Sequence, residues 1–462
     1  MNGMQDNGFF ELDGTHYIFY LDGTSIILFP RAPGELTPPS LYPRDDSYNI
    51  DLVGSRGIRG AIWTHSANIE HTRTLFNDVI ELQAKYIYSR WDGLNIGGMD
   101  IFGEAIDDLF FLDNSTLPIE KKSNYAEAGS NIVETWSVTY RERQLQVLLL
   151  FDNTLSFRGR NNLEFHPIIR VVVPGQEDFK VLSKVYESIL NFIRIIRYRL
   201  PCGNVETKLI DNSESHNRIG FMLTGKENFA FEKRYAIGGL SFWKPYIQRL
   251  LQFVFVDEDL TLNHFPIDHF HFSPHDFDPI TVSRLFTAFE NECHMNRSEY
   301  EDVDSSTIEK IKARIIEKIK DEKINTQTVE EKKFVDDSID RIYQLGTSIG
   351  QKAKILRAFE SVYPVLQKYL PYLLNRACDK TGTIKEWAKK LLGSIPSLRA
   401  TILHDGNNSL ISQDQALALV TLELIVYIQM LRRANIDDTE IEALIGFVFE
   451  FNPGNYTYLT PD

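Results

Sequence analysis

The chain has 462 residues, 43% of them hydrophobic and 24% charged, and its 64 acidic against 49 basic side chains leave a net charge of −15. That length exceeds what one hydrophobic core fills, so two or three domains are expected, and the composition excludes disordered and fibrous classes. The acidic balance excludes wrapping of nucleic acid by a broad basic surface, while leaving room for a small basic site.

The opening run "MNGMQDNGFFELDG" is polar and acidic and lacks the basic and apolar segments of a secretory signal, so a cytoplasmic location is expected. In "HYIFYLDGTSIILFP" two β-branched and aromatic runs flank Asp22-Gly23, a dipeptide that tolerates the positive φ angles of a tight hairpin. A first hairpin is predicted over 16–29. Strand-like runs follow at "NIVETWSVTY", "QLQVLLLFDN" and "HPIIRVVVP", while "RTLFNDVIELQAKYIYSRWDG" mixes strand and polar loop signals. Residues 1–173 therefore read as β-rich and antiparallel.

At Gln176 the period changes. Val181, Leu182, Val185, Ile189, Leu190, Ile193 and Ile196 form a helical stripe closed by Pro201-Cys202-Gly203. Beyond it come β-like "VETKLI" and "RIGFMLTG", then an aromatic stretch to Phe255 without a clear period. Residues 1–278 are assigned to a β-rich region with one long helix.

The connector "LNHFPIDHFHFSPHDFD" holds His264, His269, His271 and His275 beside Asp268, Asp276 and Asp278, residue types that ligate metals. Its spacing fits no standard ligand pattern, and its prolines and aromatics suit an extended segment, so no metal is expected. Cys202, Cys293 and Cys378 are odd in number and far apart, which gives neither a disulfide framework nor a zinc signature and points to a reducing compartment.

From residue 279 the chain reads as helical, near 280–294, 305–322, 327–346, 350–377, 383–404, 412–434 and 437–449. The fold class expected is α+β, with an all-helical bundle over 279–462. "IEKIKARIIEKIKDEKINTQTVEEKK" alternates acid and base around an isoleucine stripe, as a solvated helical face does against a core. Ser412-Gln413-Asp414 has the form of an N-cap with acid in the first turn. Ala416–Leu431 is apolar but carries Glu423 and Gln429, so it reads as a buried helix and no membrane partner is expected. It is apolar on more than one face, which predicts burial by its own bundle and by a second copy of the chain. No phosphate-binding glycine loop or nucleophile elbow is found, and no cofactor is expected.

Arg399 and His404 lie five positions apart just before Asp405-Gly406. On an unbroken helix such side chains point about 140° apart, so they meet at one substrate atom only through a helix break or through a second copy. The alternative is an arginine on a solvated face and a histidine facing C-terminal carbonyls.

Arg-x4-His at the end of a late helix, a polar loop with glycine, and a long apolar helix ending in "LRRANIDDTEIEALI" together resemble the HEPN superfamily of helical bundles. With "FSPHDFD" and "FTAFENE" joining a β-rich half to that bundle, the layout is similar to ApeA-like bacterial anti-phage proteins. The resemblance implies a metal-independent ribonuclease acting as a homodimer on RNA, triggered through the N-terminal region by an unknown signal. It implies that Arg399 holds the phosphate and that His404 transfers the proton of the 2′-hydroxyl or leaving oxygen. Ala400 departs from the family, which often has a polar residue there. A module that only dimerises or binds a partner is the alternative.

Overall fold

In the strand Thr15–Asp22, Tyr17, Phe19 and Leu21 are buried while Ile18 between them is 40% exposed. This is the period-two pattern of a strand with one face on a core. The computed structural model of the chain describes residues 5–12, 15–22, 25–30, 48–54, 59–64, 69–73, 78–83, 86–90, 95–110, 131–155, 163–175, 179–198, 205–224, 239–257, 262, 279–296, 305–324, 328–344, 350–374, 382–405 and 411–448. They form an α+β protein of two compact units, Met1–Leu262 and Asn263–Asp462. This division and the sequence-based boundary at 278 differ only over 263–278. That histidine-rich connector lies outside the described residues, as do Cys202 and Cys378.

Among the described residues, the first unit holds fourteen strands in one sheet. They are β1 Gln5–Leu12, β2 Thr15–Asp22, β3 Ser25–Pro30, β4 Tyr48–Gly54, β5 Arg59–Thr64, β6 Ile69–Arg73 and β7 Asp78–Gln83. β8 Tyr86–Arg90, β9 Ile96–Gly103, β10 Asn131–Tyr140, β11 Arg143–Leu155, β12 Leu163–Val172, β13 Val205–Asp211 and β14 Arg218–Thr224 complete it. The order is β10-β11-β12-β9-β13-β14-β8-β5-β4-β1-β2-β3-β7-β6, with every neighbouring pair antiparallel.

The hairpin expected over 16–29 is present as β2 and β3, with Asp22 paired to Ser25. β10 and β11 turn through Arg141 and Glu142, whose φ angles of 46° and 63° supply the two positive values a two-residue hairpin needs, without asparagine or glycine. At Gly98 on β9 a Cβ would fall 2.0 Å from the Val171 carbonyl oxygen, so glycine is required by the close approach of β12.

Three described helices belong to this unit: α1 Glu104–Leu109, α2 Phe179–Arg197 and α3 Gly239–Val256. The sequence reading placed one long helix here, and the structure has two. Phe242, Trp243 and Tyr246 favour strands, and Pro245 sits inside α3, which masked its period. Yet Trp243, Ile247, Leu250, Leu251 and Val254 are all buried at helical spacing.

On the opposite side of α3, Gln252 accepts from the Thr139 N–H at 3.0 Å and donates to its carbonyl at 3.2 Å. Gln248 donates to the Ser137 carbonyl at 2.6 Å, and Lys244 pairs with Glu134. Of this stripe at i, i+4 and i+8, Gln248 and Gln252 occupy the outer backbone of β10, the strand at one end of the sheet, and block pairing by another strand there, while Lys244 holds a β10 side chain.

The second unit holds eight described helices: α4 Pro279–Met295, α5 Ser305–Ile324, α6 Val329–Gln344, α7 Gln351–Leu366, α8 Leu370–Leu374, α9 Ile384–Asp405, α10 Gln413–Arg433 and α11 Asp438–Val448. The helix predicted over 350–377 is split at Gln367–Tyr369. Pro371, which lacks an N–H, then falls in the first turn of α8, where no intrahelical partner is lost. Ser412 caps α10 as expected, in a reciprocal box with Gln415.

Every residue of α10 from Ala416 to Leu431 is buried, Glu423 included, against α4, α7, α8, α9 and α11. Among the described residues it is the one helix long and apolar enough to span a membrane, and 89% of that window is buried inside the protein. The surplus of apolar faces expected to meet a second copy is consumed within one chain.

Candidate functional site

The candidate site lies on α9. Its start is fixed by a capping box, in which the Thr383 N–H donates to Glu386 at 2.7 Å and the Glu386 N–H to the Thr383 hydroxyl at 3.3 Å. These bonds hold the Glu386 carboxyl below its usual range. Ala388, Leu392, Ile395 and Leu398 form the buried stripe that seats the helix. Arg399 follows Leu398 and so leaves the helix beside that stripe, at the rim of the core.

Its guanidinium is fixed from α4. Nη1 of Arg399 lies 2.5 Å from Oε1 of Glu290, and Cζ lies 5.0 Å from the centre of the buried Phe286 ring. Phe286 and Glu290 are one helical turn apart, which is why a single arginine reaches both. Gln351 of α7 donates to the same Glu290 oxygen at 3.3 Å. The arginine side chain remains 31% exposed and the glutamate 49%. Solvent therefore reaches a positioned cation.

Helix α9 runs unbroken through His404 and ends at Asp405, where Asp405-Gly406 was expected to stop it. Arg399 and His404 are thus about 7.5 Å apart along one axis and about 140° apart around it. The described helix therefore contains both positions without a break between them.

Phe286 and Glu290 were missed as site residues, although both stand in the "FTAFENE" run singled out in the sequence. Their spacing of four was the available signal. Glu292 of the same run receives two bonds from Arg433, at 2.9 and 2.5 Å, and its side chain is only 4% exposed. Arg432 donates twice to Asp438 and twice to Ser361. The two quoted stretches "FTAFENE" and "LRRANIDD" therefore meet in the fold, joined by an ion pair that ties α4 to the end of α10.

Other groups with chemical potential are accounted for by structure. Burial pushes the Cys293 thiol up to about 12, with Lys354 opposing, so it is neutral and no nucleophile. In the sheet unit the buried Asp100 binds Arg170 through two bonds of 2.6 and 2.9 Å and Arg218 at 3.3 Å, which ties β9 to β12 and β14. Arg197 pairs with Asp108 at 2.5 Å. His166 and Asp107 approach to 3.7 Å on the surface, where desolvation raises the Asp107 carboxyl and His166 opposes. Among the described residues no group of three or more histidines, cysteines, aspartates or glutamates is placed to hold a metal. Compared with known proteins, the chain matches no protein-family model, no curated protein and no solved structure.

Proposed function

We propose that the helical unit is a cytoplasmic, metal-independent ribonuclease of HEPN type acting in anti-phage defence as a homodimer, with the sheet unit receiving the trigger. The observation that carries this reading is Arg399, a partly exposed cation pre-positioned by Glu290 and Phe286 on the helix that also bears His404. A guanidinium fixed before substrate arrives opposes the charge developing on a phosphate at little reorganisation cost. The imidazole of His404, a group able to accept and to donate a proton, moves a proton at the 2′-hydroxyl or leaving oxygen. Because positions 399 and 404 lie about 140° apart around one helix, the reading assigns the phosphate contact and the proton transfer at one bond to different copies.

Purified protein with RNA in excess chelator tests it. The expected products carry cyclic phosphate and 5′-hydroxyl ends, and Arg399→Ala or His404→Ala lowers the rate by about 10² to 10⁴ while leaving the unfolding curve intact. Equal cleavage by both variants rejects it.

A second reading is favoured by the same ion pair. Glu290 already neutralises Arg399, and Ala400 offers no hydrogen-bonding side chain, which suits a module that binds a partner without cutting RNA. An inert wild type with all candidate triggers selects it.

A further inference from the structure

Cleavage of RNA by its own 2′-hydroxyl moves two protons. One leaves the 2′-oxygen as that oxygen bonds to phosphorus, and one arrives on the 5′-oxygen as its bond to phosphorus breaks. His404 accounts for one of them, so a cleaving Arg399 site needs a second group within reach of the bound phosphate.

The row Phe286, Glu290 and His294 on α4 meets that need. Spaced by four, these residues stand along one side of the helix, with the Cβ atoms of successive members about 6 Å apart. The guanidinium of Arg399 lies across the first two, with Cζ 5.0 Å from the Phe286 ring and Nη1 2.5 Å from Oε1 of Glu290. It thus runs from the Phe286 turn to the Glu290 turn, and His294 is the next residue in that direction. A helical side chain covers the turn before its own Cα, which for His294 is the turn of Glu290. Both Glu290 and His294 are exposed, so solvent reaches them.

Among the described residues, the charged groups around His294 come from four helices. Glu290 precedes it by one turn on α4, and Arg399 reaches Glu290 from α9. Lys354 of α7 acts on the neighbouring Cys293, and Arg433 of α10 is bound to Glu292. Glu290 therefore joins Arg399 and the His294 turn within a single copy, whereas position 404 lies about 140° around α9 from position 399.

We propose that His294 is the second proton-transfer residue of this site. One of His294 and His404 takes the proton of the 2′-hydroxyl, and the other gives a proton to the 5′-oxygen. This assignment rests on the ribonuclease reading.

The test follows cleavage of a labelled single-stranded RNA in excess chelator from about pH 5 to 9, with the parent, His294→Gln and His404→Gln. The parent should give a bell-shaped kcat/KM profile, and each variant should fall by about 10² to 10⁴ and lose one limb, a different one for each histidine. Free imidazole should restore part of the rate of His294→Ala, which a purely structural role does not predict. Position 294 is exposed, so the unfolding curves of its variants should match that of the parent. A parent that cleaves alongside a His294→Gln with the same rate and the same bell overturns the inference and leaves the ribonuclease reading standing. A parent that cuts no RNA overturns both.

Discussion

Substituting Glu290 by glutamine separates two roles that this carboxylate plays toward Arg399. The change removes the charge, keeps a carbonyl oxygen for the bond from Gln351, and leaves Phe286 beneath the guanidinium. With side chains 31% and 49% exposed, the ion pair contributes about 0.2–1 kcal/mol to stability. For a unit of this size that lowers the melting temperature by less than about 4 °C. If Glu290 masks the arginine at rest, an RNA phosphate no longer has to displace it, and the same energy appears as up to about 5-fold tighter RNA binding. The assay is fluorescence anisotropy of labelled single-stranded RNA in chelator, comparing Glu290→Gln with the parent, both carrying His404→Ala so that no strand is cut. Affinity that falls or stays level refutes masking and shows that the carboxylate serves to orient Arg399 or has no part in binding.

Leu424→Ala in the centre of α10, where the side chain is fully buried, should destabilise the helical unit by about 2–5 kcal/mol, read as a lower melting temperature; a change under about 1 kcal/mol would show that α10 is not the core helix. Because burial raises the Cys293 thiol to about 12, its thiolate is scarce at pH 8. Alkylation of the peptide containing it should therefore be at least about 100-fold slower in native protein than in urea, and equal rates would contradict its burial.

Much of the fold was legible because the signal is local. The Asp22-Gly23 turn between two alternating runs specified β2 and β3, and Ser412 with Gln415 three residues on specified where α10 begins. Where local chemistry conflicts with the outcome, reading failed. The aromatics and Pro245 of α3 argue against a helix, and that helix exists because tertiary contacts bury Trp243, Ile247 and Leu250 and engage Lys244, Gln248 and Gln252 along β10. Packing overrode propensity.

The candidate site divides in the same way. Sequence supplied Arg399, His404 and the runs "FTAFENE" and "LRRANIDD", because residue identity and spacing are written in the chain. That Glu290 holds Arg399 across 109 residues of chain, with Phe286 beneath the guanidinium, and that Glu292 meets Arg433 across 141, are matters of how α4 lies against α9 and α10. The sequence by itself determined that α10 is apolar on more than one face. Whether one copy or two would cover those faces was decided only by the arrangement of α4, α7, α8, α9 and α11, since burial depends on which surfaces meet in space and a one-dimensional pattern records only how much apolar surface must be covered.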